Sequence, residues 1–102
     1  MWKLFLDDER EPIGDGWTIA RDADSARDLI RSNGIPRFIS FDHDLGDGDN
    51  GSQFVSWLID HMLDNSIKFP LDFSYMIHSQ NPVGAGNIRG KMDVAINHIG
   101  RE

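Results

Sequence analysis

Short apolar runs that stop abruptly at acidic or imidazole side chains constrain this chain more than any other feature. Trp2-Lys3-Leu4-Phe5-Leu6 runs into Asp7-Asp8, Arg37 to Phe41 runs into Asp42-His43-Asp44, and Phe73 to Ile77 runs into His78-Ser79. Runs of about five residues rich in aromatic and branched side chains read as strands, and the polar residues after them as loops. A fourth run, Trp17 to Ala20, alternates in the same way. The segments between have helical spacing. Asp22 or Asp24 caps a helix whose Ala23, Ala26, Leu29 and Ile30 share a face, stopped by Asn33-Gly34 and Pro36. A second helix starts near Ser52 and carries the stripe Phe54, Val55, Leu58, Ile59, Met62 and Leu63. A third follows a Gly-rich turn, with Ile88, Met92, Ala95, Ile96 and Ile99 on one side.

Strands that alternate with helices imply an α/β fold with a mostly parallel sheet, and ligands of such sheets gather beyond the carboxyl ends of the strands. The three polar ends, remote in sequence, therefore converge along one edge. The link between the first two strands, Asp7 to Gly16, holds Pro12, Gly14 and Gly16 and is too short for a helical crossover. Strict alternation assigns Trp2, Leu4, Leu6, Trp17, Ile19, Ile39, Phe41, Phe73, Tyr75 and Ile77 to one sheet face. It assigns Lys3, Phe5, Thr18, Ala20, Phe38, Ser40, Ser74 and Met76 to the other. The second face is half polar, so helices are expected mainly on the first, with the second solvated, lightly covered or used in a homodimer.

At 102 residues the chain is expected to form one domain, 1–102. No apolar run approaches the roughly 18 residues of a membrane span, and charged residues follow the first apolar stretch at once, unlike a signal peptide; a cytoplasmic location is expected. The absence of Cys excludes disulfides, thiolate nucleophiles and Cys-ligated zinc. A net charge of −7 argues against a basic surface for duplex nucleic acid. Of the 17 acidic residues 14 are Asp, the residue of turns, caps and cation ligation rather than of helix faces. A small anionic substrate would then need a cation or a few local Arg as intermediary, and 7 of the 10 basic residues are Arg.

Adjacent carboxylates repel unless a cation or an Arg neutralises them. Asp7 and Asp8, joined in space by Asp42, would offer three hard oxygen donors, which suits Mg²⁺ or Mn²⁺. The plainer alternative is a solvated acidic loop in which Asp8 pairs with Arg10. His78 sits where Ser79, Asn81 and a helix start supply hydroxyl, amide and N–H donors, a setting for a general acid or base beside a phosphate. His43 and Asp44 could assist it, and Arg10 and Arg89 are candidate phosphate clamps. His61 and His98 lie inside helices and read as structural. Gly46-Asp47-Gly48-Asp49-Asn50-Gly51 fits a dinucleotide-binding string, but it follows the wrong strand and its Asp residues would repel a pyrophosphate. As a calcium loop it puts Gly46 or Leu58 where ligands belong.

Leu6-Asp7-Asp8, Asp42-x-x-Leu45-Gly46 and the later Gly51 resemble the receiver domain of response regulators, in which an acidic pair and a phospho-acceptor Asp hold Mg²⁺. This chain departs from that pattern by lacking the helix between strands one and two, the fifth strand and a suitably placed Lys. A closer resemblance is to the cyclic-phosphate-processing receiver domain family, carried by Leu6-Asp7-Asp8-Glu9-Arg10, Phe41-Asp42-His43-Asp44-Leu45-Gly46 and His78-Ser79-Gln80-Asn81-Pro82-Val83-Gly84. The resemblance implies a flavodoxin-like, receiver-like α/β sheet of about four strands in the order 2-1-3-4. It also implies a bacterial or phage protein that hydrolyses cyclic or other nucleotide phosphates.

The expected function is a metal-dependent phosphoesterase: Asp7, Asp8 and Asp42 hold Mg²⁺ or Mn²⁺, and His78, with His43 or Asp44, moves the proton. Arg10, Ser79, Asn81 and Arg89 hold the anion. The alternative is a degenerate receiver that binds metal, phosphate or a cyclic nucleotide without turnover.

Overall fold

The computed structural model describes residues 1–102. In chain order the elements are β1 (Lys3–Leu6), β2 (Trp17–Ala20), α1 (Ala23–Asn33), β3 (Phe38–Phe41), α2 (Gly51–Asp64), β4 (Ser74–Ile77) and α3 (Pro82–Ile99). The four strands form one sheet in the order β2-β1-β3-β4, every pair parallel. No helix is long and apolar enough to cross a membrane.

The helix starts follow from local side-chain chemistry. The Asp22 carboxylate accepts the Ser25 N–H at the start of α1, and Asn50 and Gln53 exchange side-chain and backbone bonds at the start of α2. Helix α3 begins earlier than its glycines suggest. Asn81 accepts the Gly84 N–H and Pro82 occupies the first turn, so Gly84 and Gly86 lie inside the helix rather than in a turn before it. A preset proline φ and a capped N–H outweigh the low helix propensity of glycine there.

All three helices cover one face of the sheet. Leu4, Leu6, Ile39 and Phe41 form a single buried cluster with Ala26 and Ile30 of α1, Phe54, Leu58 and Met62 of α2, and Ile88 and Met92 of α3. Lys91 ties α3 to α2 through the Ser52 carbonyl at 3.1 Å and the Ser56 hydroxyl at 2.7 Å.

One strand is turned over relative to the sequence reading. The register pairs Lys3 with Trp17 and Leu6 with Ala20, so Thr18 and Ala20 face the helices while Trp17 and Ile19 share the opposite face with Phe5. Trp17 meets Phe5 and Phe38 edge-on at 5.8 and 5.6 Å and carries the Lys3 ammonium over its ring. The reason is space: α1 starts three residues after β2, and Ala20, Ala23 and Ala26 allow a close approach that an inward Trp17 would block. The open face is therefore more apolar than expected. The β1–β2 loop folds back over it, held where Trp17 Nε1–H donates to the Ile13 carbonyl and Lys3 donates to that of Asp15.

Candidate functional site

Asp7 and Asp42 end the adjacent strands β1 and β3 and form the floor of the site. Asp7 is 1% exposed. One of its oxygens accepts the N–H groups of Glu9 and Arg10, both at 2.8 Å, and the other faces His78 Nε2 at 2.8 Å and Arg10 Nε at 3.9 Å. Burial alone would raise its pKa, but the two N–H groups and the imidazole more than offset that and hold the carboxyl below its ordinary value. Asp42 is 6% exposed and its Oδ1 accepts the His43 N–H at 2.8 Å.

His78 follows β4 on the side of Met76, which puts its ring on the open face rather than in the acidic cleft. It lies flat against Phe5, ring centroids 4.6 Å apart and planes within 3°. Its Nδ1 is 2.7 Å from the buried Ser40 hydroxyl. A carboxylate can only accept, so Nε2 carries the proton shared with Asp7, and the Nδ1 of the neutral ring accepts from Ser40. Ser40, His78 and Asp7 thus form one continuous chain.

Asp7, Asp42 and His78 each place a ligand atom within 4.8 Å of the others. Ligand atoms about 2.1 Å from one Mg²⁺ must lie roughly 3–4 Å apart; the carboxylates of Asp7 and Asp42 offer oxygens in that neighbourhood, while the His78 Nε2–H, spent on Asp7, backs that carboxylate rather than coordinates. Above it opens a pocket of about 370 Å³ with no apolar lining. Asp7, Asp8, Glu9, Asp42 and Asp44 line it against the single cation of Arg10, with Ser79, Gln80 and Asn81 completing the wall. Five carboxylates and one guanidinium would repel a phosphate, so a phosphate enters only with a cation between. The donor chemistry fits such an ion.

The other expected residues fall into three groups. Asp8, Arg10, Asp44, Ser79 and Asn81 line the pocket. Asp8 reaches toward Gly46, where an added Cβ would lie 3.5 Å from its Oδ2, and stands outside the tight trio, in which His78 takes its place. Arg10 donates to the His78 carbonyl at 3.0 Å, tying the β1 loop to the end of β4. His43 does not line the pocket. Its ring lies under α3, with Nδ1–H donating to Asp44 Oδ1 at 2.9 Å; that bond first, and one from the Asn81 amide to the same oxygen at 3.4 Å, keep the Asp44 carboxyl below its ordinary value. Arg89 lies beside Tyr75 on α3, away from the pocket.

Two glycines are explained by the same geometry. A Cβ on Gly51 would sit 2.1 Å from the Asp42 carbonyl oxygen, and one on Gly84 would sit 2.2 Å from the His43 ring. Both let a helix start close against the Asp42-His43 segment. Ser40, Glu9 and Gln80 were not singled out in the sequence. For Ser40 the signal was present, a hydroxyl inside the apolar run Phe38-Ile39-Ser40-Phe41 that must find a partner when buried.

A parallel sheet in the order β2-β1-β3-β4, with buried acids at the carboxyl ends of its central strands, defines a receiver-like α/β domain. The chain belongs to the cyclic-phosphate processing receiver domain family, whose family model matches residues 2–94. Among solved structures it is similar to a fusion protein described as carrying the yeast Spc42 trimeric coiled coil. The TM-score is 0.57 and the identity 18%, with 86% of this chain covered. The chain spans 61% of the length of that protein, and the likeness is one of fold alone. No curated protein matches the chain. Lys3 and Lys91 are engaged with the β1–β2 loop and with α2.

Proposed function

We propose that the domain is a metal-dependent phosphoesterase acting on cyclic or other nucleotide phosphates. The carrying observation is the buried pair Asp7 and Asp42 at the floor of an all-polar, strongly acidic pocket, with His78 bonded to Asp7 from behind. Asp42 and Asp7, with Asp8 at the rim, would hold Mg²⁺ or Mn²⁺. Such an ion, when bound, polarises a phosphoryl oxygen and lowers the pKa of water. Arg10, Ser79 and Asn81 orient the anion. His78 meets the pocket through Asp7, and the pair exchanges a proton as one unit backed by Ser40. In this reading His43 and Asp44 position Asn81 and the loop rather than touch the reacting phosphate.

Binding without turnover is the second reading. The engagement of both His78 nitrogens inside the protein favours it.

Purified protein with Mg²⁺ or Mn²⁺ is offered 2′,3′-cyclic, 3′,5′-cyclic and cyclic-oligonucleotide phosphates, with products read by mass spectrometry. Cleavage that disappears in Asp42→Asn and His78→Ala is expected. Metal binding with no cleavage of any substrate would refute the enzyme and leave the binding module.

A further inference from the structure

A second cavity of about 240 Å³ opens on the helix-free face of the sheet, and it borders the acidic pocket. Arg10 lines both cavities. His78 stands between them, its Nε2 on Asp7 at the floor of one and its ring in the wall of the other. The two differ in chemistry. The acidic pocket has no apolar wall, whereas the second is a groove walled by Phe5, Trp17, Met76 and Ile13, with Ser40 and Glu11 as polar groups. Core packing does not account for this apolar surface. Ile13 is 98% exposed and Met76 is 47% exposed, while the helices pack on the other face. The β1–β2 loop that forms one wall is fixed by the Trp17 Nε1–H bond to Ile13 and by the Arg21 guanidinium, which donates to the Arg10 carbonyl at 2.6 Å.

We propose that this groove is the nucleobase subsite of the same ligand whose phosphate occupies the acidic pocket; the inference rests on the phosphoesterase reading above. A flat heteroaromatic ring with polar edges matches an aromatic and thioether groove that carries a carboxylate and a hydroxyl. Continuity across Arg10 and His78 places base and phosphate on one molecule. The domain therefore selects nucleoside phosphates over sugar phosphates. Base stacking on protein rings makes this preference about tenfold or more in affinity.

The test is calorimetric binding with Mg²⁺ of two probes: adenosine 2′,3′-cyclic phosphate, and methyl riboside 2′,3′-cyclic phosphate, which has the same phosphate and no base. Wild-type protein should prefer the first about tenfold. Ile13→Glu and Met76→Glu, both at exposed positions, should collapse that ratio toward one, and the Trp17 indole N–H should shift in NMR spectra only with the first probe. Equal binding of both probes to the wild type overturns the subsite and leaves the pocket reading standing. A ratio that survives both substitutions also overturns it. Binding of neither probe refutes the pocket reading, and the subsite falls with it.

Discussion

Replacing Gly84 by Ala tests the packing that sets the site, because three glycines of one helix should respond with opposite signs. Gly86 and Gly90 have nothing within 4 Å of an added Cβ, so Gly→Ala at either should stabilise α3 by about 0.5–1 kcal/mol through backbone entropy alone. At Gly84 the same gain meets the His43 ring, with contacts of 2.2 Å to Cγ and 2.5 Å to Nδ1. That is more than 1 Å inside the roughly 3.5 Å at which such atoms rest. The ring must turn out of its place, losing its bond to Asp44. Overpacking costs about 1–3 kcal/mol and the lost bond about 0.5–1.5 kcal/mol. Set against the helix gain, Gly84→Ala should destabilise by about 0.5–4 kcal/mol. In a domain of this size 1 kcal/mol moves Tm by about 4–8 °C, so thermal unfolding should fall by roughly 2–30 °C while the two control variants rise by a few degrees. A cycle with His43→Ala, which removes the obstructing ring, should recover most of the loss as coupling. Additive behaviour, or a stabilised Gly84→Ala, would refute the close approach of α3 to His43.

Further outcomes follow from the same geometry. Gly51→Ala drives a Cβ to 2.1 Å from the Asp42 carbonyl, so it should displace Asp42 itself and weaken Mn²⁺ binding at least tenfold in a titration; unchanged affinity would contradict the placement. Ser40→Ala leaves the buried Nδ1 of His78 without its donor and should cost about 1 kcal/mol. Imidazole NMR should show the tautomer no longer fixed, and identical nitrogen shifts in variant and wild type would rule out the Ser40–His78–Asp7 chain. Tyr75 is the single tyrosine, so its ionisation can be followed by tyrosinate absorbance. Burial first and the Asp93 hydrogen bond second push it from 10.0 up to about 12. The fold favours the neutral phenol, so its contribution, about 1–2 kcal/mol after discounting for partial exposure, is complete below pH 10 and lost as the pH rises through about 12. Asp93→Asn should move the titration back toward 10, and a wild-type titration already at 10 would contradict the contact.

Strand and helix positions were legible because their signals are local. The apolar runs of Lys3–Leu6 and Phe38–Phe41, the cap Asp22 and the breakers between Asp7 and Gly16 each act within a few residues, whereas the Asn81 cap was hidden behind the glycines that follow it. The convergence of Asp7, Asp42 and His78 was legible for a related reason, since parallel strands must place their carboxyl ends on one edge. Periodicity did not fix the phase of β2. Alternation says only that Trp17 and Thr18 point to opposite sides, and the register with β1, with α1 close behind, decides which side is which.

Sequence alone determined the class of fold, the family motifs and the edge on which the acids gather, because the periods of strands and helices and the charges of side chains are properties of neighbouring residues. Tertiary structure decided which groups meet. It put His78 rather than Asp8 beside Asp7, packed His43 beneath Gly84, set Arg89 beside Tyr75 and away from the pocket, and left an apolar groove next to the acidic pocket. The physical reason is that a carboxylate chooses its partner over 2–3 Å, and distances of that size between residues as remote in sequence as Asp7 and His78 exist only once strand register and helix packing are set.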